Sequence, residues 1–273
     1  MSLTIHPGLI QGSDEWLAAR RGILTASVVG QLITVRKLGA IDYNCPECMA
    51  VADSPRQSLR KPGAVIKTLH PARAEYARGQ SSSTVIEPAS NDNSRSLTML
   101  LAAERITGWT EPTFMSDDMW RGVEDEPRAR DKYSEHYAPA TEVGFMTEDK
   151  WGFRMGYSPD GVVGDDGLIE VKSRRSKAQL ATILADTVPI ENMAQLQCGL
   201  LVSGRQWIDY VSYCGGMPLY VKRVFPQAKW HAAIIAAATL FESNAAEIQR
   251  LYAESVEGLH MTERTPTEMD MVI

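Results

Sequence analysis

The chain has 273 residues, of which 44% are hydrophobic and 23% charged, a globular balance that excludes disordered, collagen-like and coiled-coil classes. A formal net charge of −6 excludes a protein that coats nucleic acid through bulk positive charge, but leaves room for an acidic site inside a local basic groove. The alanine-rich stretch Ala232 to Phe241 is far shorter than the roughly 20 apolar residues of a membrane helix, and four cysteines are too few for a disulfide scaffold. With no basic, apolar leader in the first sixteen residues, a cytoplasmic setting and no membrane association are expected.

Ser13 and Asp14 cap a helix predicted over residues 13–35. Gly22 interrupts, and Thr25, Ala26 and Ser27 open a second, apolar helix through Val28, Val29 and Leu32. Residues 40–95 change character. They hold Cys45-Pro46-Glu47-Cys48, scattered prolines, the cations Arg56, Arg60, Lys61, Lys67, Arg73 and Arg78, and the polar run 81–84. This stretch reads as an insertion. Leu97, Leu100, Leu101 and Ile106 then fit a helix ending at Gly108. Met119 to Tyr137 reads as another, with Glu126, Ala129, Tyr133 and Tyr137 on one face and Pro127 starting or kinking a segment. Phe153 to Tyr157 and Leu168 to Val171 read as strands joined through Gly161-Val162-Val163 and the turn Gly164-Asp165-Asp166-Gly167. A helix from Ile190 to Val202, strands at Trp207–Tyr213 and Leu219–Phe225, and a long amphipathic helix after Pro226 complete the order. The tail after 255 is polar. The expected organisation is 1–39 and 96–255 as one α/β domain with a mixed sheet, 40–95 as an insertion, and 256–273 as tail.

The sharpest chemistry lies in Ser158-Pro159-Asp160-Gly161 followed by Ile169-Glu170-Val171-Lys172. Two strands joined by a tight turn bring Asp160 and Glu170 side by side. Strand alternation puts Glu170 and Lys172 on one face with Val171 opposite. Burying unpaired charge is expensive, so two carboxylates and an ammonium do not converge to build a core. Carboxylates suit a hard, oxygen-liganded cation such as Mg2+, and a lysine beside it can orient or deprotonate a water.

These residues match the PD-(D/E)XK nuclease pattern. Around them stand Leu101-Ala102-Ala103-Glu104-Arg105-Ile106-Thr107-Gly108, then Gly122-Val123-Glu124-Asp125-Glu126-Pro127-Arg128-Ala129-Arg130, and later Met193-Ala194-Gln195-Leu196-Gln197. In this order and spacing the set resembles the YqaJ-type viral recombinase family, which includes the lambda-phage exonuclease. The resemblance covers roughly 10–35 and 96–225. It implies a restriction-endonuclease-like fold, a mixed central sheet flanked by helices. It also implies a Mg2+-dependent 5′-to-3′ exodeoxyribonuclease, with Mn2+ able to substitute, acting on double-stranded DNA ends. The 3′ overhangs would pass to a single-strand annealing protein in a bacterial or phage-infected cell, and the expected assembly is a homo-oligomer, a ring trimer by analogy.

Residue by residue, the resemblance implies Asp160, Glu170 and the Val171 carbonyl as metal ligands and Lys172 as the catalytic lysine. Glu126 is the helix-borne acid; Glu124 reads as a solvated charge. Gln195 would hold the substrate end, with Gln197 a weaker candidate. Trp16 to Ser27 also resembles the family, where an arginine and the hydroxyls of a TAS segment bind a terminal 5′-phosphate. That role falls to Arg20, Thr25 and Ser27, joined by Ser158; Arg21 is the rival of Arg20, and Trp16 reads as a core aromatic. A planar guanidinium suits phosphate because it donates at two points.

Cys45, Cys48 and His70 have the spacing of a degenerate zinc module resembling short phage-type ones, with Arg56 where a third cysteine is expected. Three ligands do not close a structural site, so zinc below one per chain is expected, with Asp53 or a neighbouring subunit as sources of a fourth ligand. Arg56, Arg60 and Lys61 would then touch DNA backbone. Two alternatives remain open: a structure-specific or restriction-like endonuclease of the same superfamily, and a non-cleaving DNA-binding recombination accessory protein whose acids form a charged face.

Overall fold

The computed structural model describes residues 3–265, apart from 59, 62–63, 81–83 and 113. Most of the polar run at 81–84 and residues 266–273 of the tail thus lie outside the described residues. In chain order the elements are β1 (Thr4–His6), α1 (Asp14–Arg20), β2 (Leu24–Thr25), α2 (Ala26–Val29), β3 (Ile33–Lys37), β4 (Arg56–Gln57), β5 (Val65–Ile66), α3 (Pro71–Arg78), β6 (Thr84–Pro88), α4 (Asp92–Thr107), α5 (Asp117–His136), β7 (Phe145–Glu148), β8 (Met155–Tyr157), β9 (Gly161–Val163), β10 (Gly167–Ser173), α6 (Ser176–Ala185), α7 (Ile190–Ser203), β11 (Trp207–Tyr213), β12 (Tyr220–Val224) and α8 (Ala228–Ser255). They form two compact units, Thr34–Glu87 and the remainder of the chain. No described helix is long and apolar enough to cross a membrane.

The larger unit carries two four-stranded sheets. One has the order β1-β7-β8-β2, antiparallel except for the parallel pair β8 and β2. The other is mixed and has the order β12-β11-β10-β9, with β10 and β11 parallel and both outer pairings antiparallel. Ala129 and Tyr133 of α5 pack on Val163, Ile169, Val171 and Val211 of this sheet. The helix runs through Pro127 rather than breaking there. Contacts on both sides of the proline hold it: Asp125 accepts a 2.6 Å hydrogen bond from the Ser173 hydroxyl, and Tyr133 donates one of 2.6 Å to Asp209. Helix α7 touches β7, β8, β11, α2 and α8. Its sequence is apolar around most of its circumference and most of its residues are buried.

The N-terminal stretch keeps the two helices expected on either side of Gly22, but they are shorter than the sequence suggests and a strand separates them. It folds as α1, β2 and α2. Gly22 makes the break with φ of +63°, its N–H donating 2.7 Å to the buried Glu104 carboxylate of α4. A Cβ there would stand 2.5 Å from Arg105 Cγ, so a side chain has no room. The sequence also missed α6 and the β1-β7 pairing, whose short segments carry no clear periodicity.

The smaller unit contains α3, the β4-β5 pair and most of the β3-β6 pair. Its limits at 34 and 87 lie several residues before those read from composition, 40 and 95. Arg36 on β3 bonds Glu87 on β6 and Asp42, each at 2.7 Å.

Candidate active site

Strand β10 reads Gly-Leu-Ile-Glu-Val-Lys-Ser and is buried over its first five residues, Glu170 among them at 2% exposed. Helix α5 and strands β9 and β11 cover it, which explains the near-continuous apolar run. A buried carboxylate needs partners. Glu170 has three: the Tyr157 hydroxyl donates to Oε2 at 3.1 Å, Lys172 Nζ donates to Oε1 at 2.8 Å, and the Gln195 amide of α7 donates to the same oxygen. Lys172 also donates to Gln195 Oε1 at 2.9 Å.

The hairpin pairs Gly161 with Ile169, so the register carries Asp160 to the position opposite Glu170. Asp160 Oδ2 accepts the Val171 N–H at 2.6 Å. Glu126 reaches the same region from α5 and pairs with Arg130, one turn on, at 3.4 Å. Arg130 also faces Glu142 at 3.4 Å and donates to the Asp160 carbonyl.

The electrostatics follow from this crowding. Burial, then the charges of Glu170 and Glu126, raise the Asp160 carboxyl well above its ordinary range; part of Asp160 still meets solvent, but protein surrounds it. Burial also raises Glu126; Arg130 opposes this, and Glu170 and Glu142 add to it. Burial works to lower Lys172, yet the charges of Glu170 and Asp160 outweigh it and hold the ammonium above the usual lysine value. The site thus gathers more negative charge than its own cations settle. An all-oxygen donor set in that state fits a hard divalent cation. The carboxylates are loosely gathered: among the described residues, the group of three ligand atoms within 4.8 Å of one another is that of Cys45, Cys48 and His70 in the smaller unit.

A second cluster lies beside this one. Arg20 Nη2 donates to Ser27 Oγ at 3.0 Å and Thr25 Oγ1 at 3.3 Å, and those hydroxyls lie 3.1 Å apart. Burial lowers Arg20 to about 10, against the pull of Glu104, so it remains a cation at neutral pH. Its guanidinium lies 3.9 Å over the Trp16 ring, and no described carboxylate forms an ion pair with it. Trp16 is buried, as a core aromatic would be, but its Nε1–H donates to Ser158 Oγ at 3.0 Å. The parallel pairing of Thr25 with Gly156 explains the convergence, because it sets the TAS segment beside the strand that leads into Ser158 and Asp160.

Residues 70–206 match the sequence profile of the YqaJ-like viral recombinase domain. The chain belongs to that family. The fold is similar to that of an alkaline exonuclease, LHK-Exo, from Laribacter hongkongensis, at 26% identity and a TM-score of 0.62, over 90% of this chain and 99% of that one. A structure of LHK-Exo in complex with dAMP aligns with the same values. A phage related exonuclease from Haemophilus somnus 129PT aligns more weakly, at 14% identity and a TM-score of 0.45 over 62% of this chain and 91% of that one. Among curated proteins, none matches the sequence. With this family and this fold, the YqaJ-type chain is a nuclease with a mixed α/β architecture.

The structure brings Asp160, Glu170, Lys172 and Gln195 together, with Glu126 at the edge, and it gathers Arg20, Thr25 and Ser27 with Ser158 across Trp16. Arg21 is absent from that network. Gln197 serves elsewhere: its amide donates to the Phe225 carbonyl at 2.9 Å and accepts the Gln227 N–H at 2.8 Å, fixing the entry to α8. Sequence reasoning missed Arg130, Tyr157 and the polar role of Trp16. The i,i+4 spacings Trp16–Arg20 and Glu126–Arg130 could have revealed two of them. Tyr157 meets Glu170 only through the fold.

Proposed function

We propose that this nuclease is a divalent-metal-dependent 5′-to-3′ exodeoxyribonuclease that acts on duplex DNA ends and leaves 3′ overhangs for a single-strand annealing protein. The observation that carries the reading is the continuity of the two clusters through Trp16: a cation with two hydroxyls on one side and, two residues beyond Ser158, the first acid of the carboxylate site. That arrangement suits a nuclease that holds a terminal 5′-phosphate while a neighbouring phosphodiester meets the acids.

Asp160 and Glu170, with the Val171 carbonyl and Glu126, would hold Mg2+, or Mn2+ in its place. When bound, such an ion supplies positive charge at a phosphoryl oxygen and lowers the pKa of a water. Lys172, which donates to Glu170 and Gln195, would stand beside the ion to orient or deprotonate the attacking water. Tyr157 and Gln195 fix the Glu170 carboxylate. Arg20 binds the terminal phosphate through its planar fork, with Thr25 and Ser27 donating beside it. A homo-oligomer, a ring trimer by family analogy, would keep the enzyme on its strand.

Linear, nicked and circular duplexes, with and without Mg2+, form the test. Digestion of linear DNA only, faster from 5′-phosphorylated than 5′-hydroxyl ends, is expected. Arg20→Ala should shrink that gap, and Asp160→Ala should abolish cleavage while duplex binding persists. Cleavage of circular DNA would favour the endonuclease alternative. Metal-independent binding without cleavage would favour the accessory protein.

A further inference from the structure

In the Thr34–Glu87 unit the described buried side chains are Cys45, Ala50, His70 and Arg73. That is no hydrophobic core, and a unit below about 70 residues normally needs a disulfide, a metal or another staple. Arg73, fully buried, donates to the carbonyls of Ile41, Tyr43, Val51 and Ser54 at 2.7 to 2.9 Å. It thereby pins the loop that carries the two cysteines. Within that loop Cys45 N–H donates to Ala50 O at 2.7 Å and Met49 N–H to Cys45 O at 3.0 Å, folding Cys48 back over Cys45.

The geometry points to a zinc site formed by Cys45 Sγ, Cys48 Sγ and His70 Nδ1, with water in the fourth position and Glu47 orienting the imidazole. The three ligand atoms lie within 4.8 Å of one another. Cys45 Sγ and His70 Nδ1 are 3.3 Å apart, close to the roughly 3.6 Å edge that usual Zn–S and Zn–N lengths give in a tetrahedron. His70 Nε2 is buried with no hydrogen-bond partner, and Glu47 Oε1 stands 3.5 Å from it. A metal-bound histidine characteristically turns its second nitrogen to a carboxylate, which fixes the ring and its tautomer. Soft sulfur donors select zinc over the Mg2+ suited to the carboxylate site. The ligand count alone argued for weak occupancy; three converging ligands with a water in the fourth place form a competent site. Cys45 also lines a groove with Tyr43, Asn44, Met49 and Tyr76.

The full chain, purified under reducing conditions without chelator, is the material for the test. Elemental analysis should find one zinc per chain in the wild type and in Asp160→Ala, and a loss in Cys48→Ser. Cobalt(II) titrated into the metal-free wild type should give tetrahedral bands with thiolate-to-cobalt charge transfer, which needs no ligand variant to fold. Glu47→Gln should keep the stoichiometry but weaken affinity about 10- to 100-fold. Limited proteolysis should cut within 34–87 only after metal removal. Absence of both zinc and charge transfer would overturn the site, as would a Cys45–Cys48 disulfide by mass or undiminished zinc in Cys48→Ser. Proteolysis indifferent to metal would overturn the stapling role.

Discussion

Gly199 lies inside α7, where helix propensity alone makes Gly→Ala favourable by about 1 kcal/mol. The structure reverses that expectation. A Cβ on Gly199 would stand 2.8 Å from Tyr157 Cζ and 3.0 and 3.1 Å from its Cε atoms. The ring is 1% exposed and its hydroxyl is anchored on Glu170. It must move by several tenths of an ångström in a packed core, and overpacking of this kind costs about 1–3 kcal/mol. Set against the propensity gain, Gly199→Ala should lose about 1 kcal/mol net, or about 2–4 °C of melting temperature. Cleavage should fall further than stability does, by about tenfold, because a hydrogen bond to a charged group is worth about 1.5–3 kcal/mol and the displaced hydroxyl weakens it. Thermal denaturation and single-turnover digestion of a linear duplex read the two effects. Adding Tyr157→Phe to Gly199→Ala should then cost little more activity, since both changes act on one bond. A Gly199→Ala protein that melts higher than wild type and cleaves at full rate would refute the reasoning.

Trp16→Phe keeps an aromatic face under Arg20 but removes the hydrogen bond to Ser158; preference for 5′-phosphorylated ends should fall about fivefold with little change in melting temperature, read by paired digestions. Asp209→Asn disturbs the buried carboxylate that accepts from Tyr133 and, at two oxygens, from Arg223; a urea midpoint corresponding to a loss of about 1–3 kcal/mol is expected, and an unchanged midpoint would contradict it. Asp160 and Glu126 have raised pKa values in the fold, so between the ordinary carboxylate value of about 4 and those raised values the native state binds more protons than the unfolded chain. Metal-free stability therefore falls as pH rises through that window. Mg2+ should raise the melting temperature more at about pH 8 than at about pH 5; equal stabilisation at both would sink the argument.

Much of the site was legible because its residues are local in sequence. Asp160, Glu170 and Lys172 sit on one hairpin, whose register follows from the Gly164 to Gly167 turn, and strand alternation alone puts Glu170 and Lys172 on one face. Arg20, Thr25 and Ser27 fall within eight residues of each other. The unread part depends on long-range pairing. Tyr157 belongs to one sheet and Glu170 to the other, and α7 is what brings Gln195 to both Glu170 and Lys172. Strand β2, between the two N-terminal helices, was not foreseen because it has two residues, too few for a period, and exists only through pairing with β8. Pro127, read as starting or kinking a segment, lies inside α5, where packing on β10 outweighs one missing backbone hydrogen bond.

The accessory-protein alternative requires acids that merely solvate a face, and this fold shows what such acids look like. On α8, Glu247 and Glu254 flank Arg250 with side chains more than half exposed, and burial hardly touches them. Glu170 is instead 2% exposed, and Asp160 is held protonation-prone against it. Evolutionary indifference does not keep such a pair, because replacing a crowded buried charge by a neutral group of equal shape usually stabilises a protein. Asp160→Asn retains an oxygen to accept the Val171 N–H while removing the charge that Glu170 and Glu126 repel. The metal-free variant should therefore melt above the metal-free wild type, lose the added stability that Mg2+ gives, and cleave nothing. If Asp160→Asn were less stable than wild type without metal, the repulsion would be compensated within the protein itself, and the case that this site is built around a cation would fail.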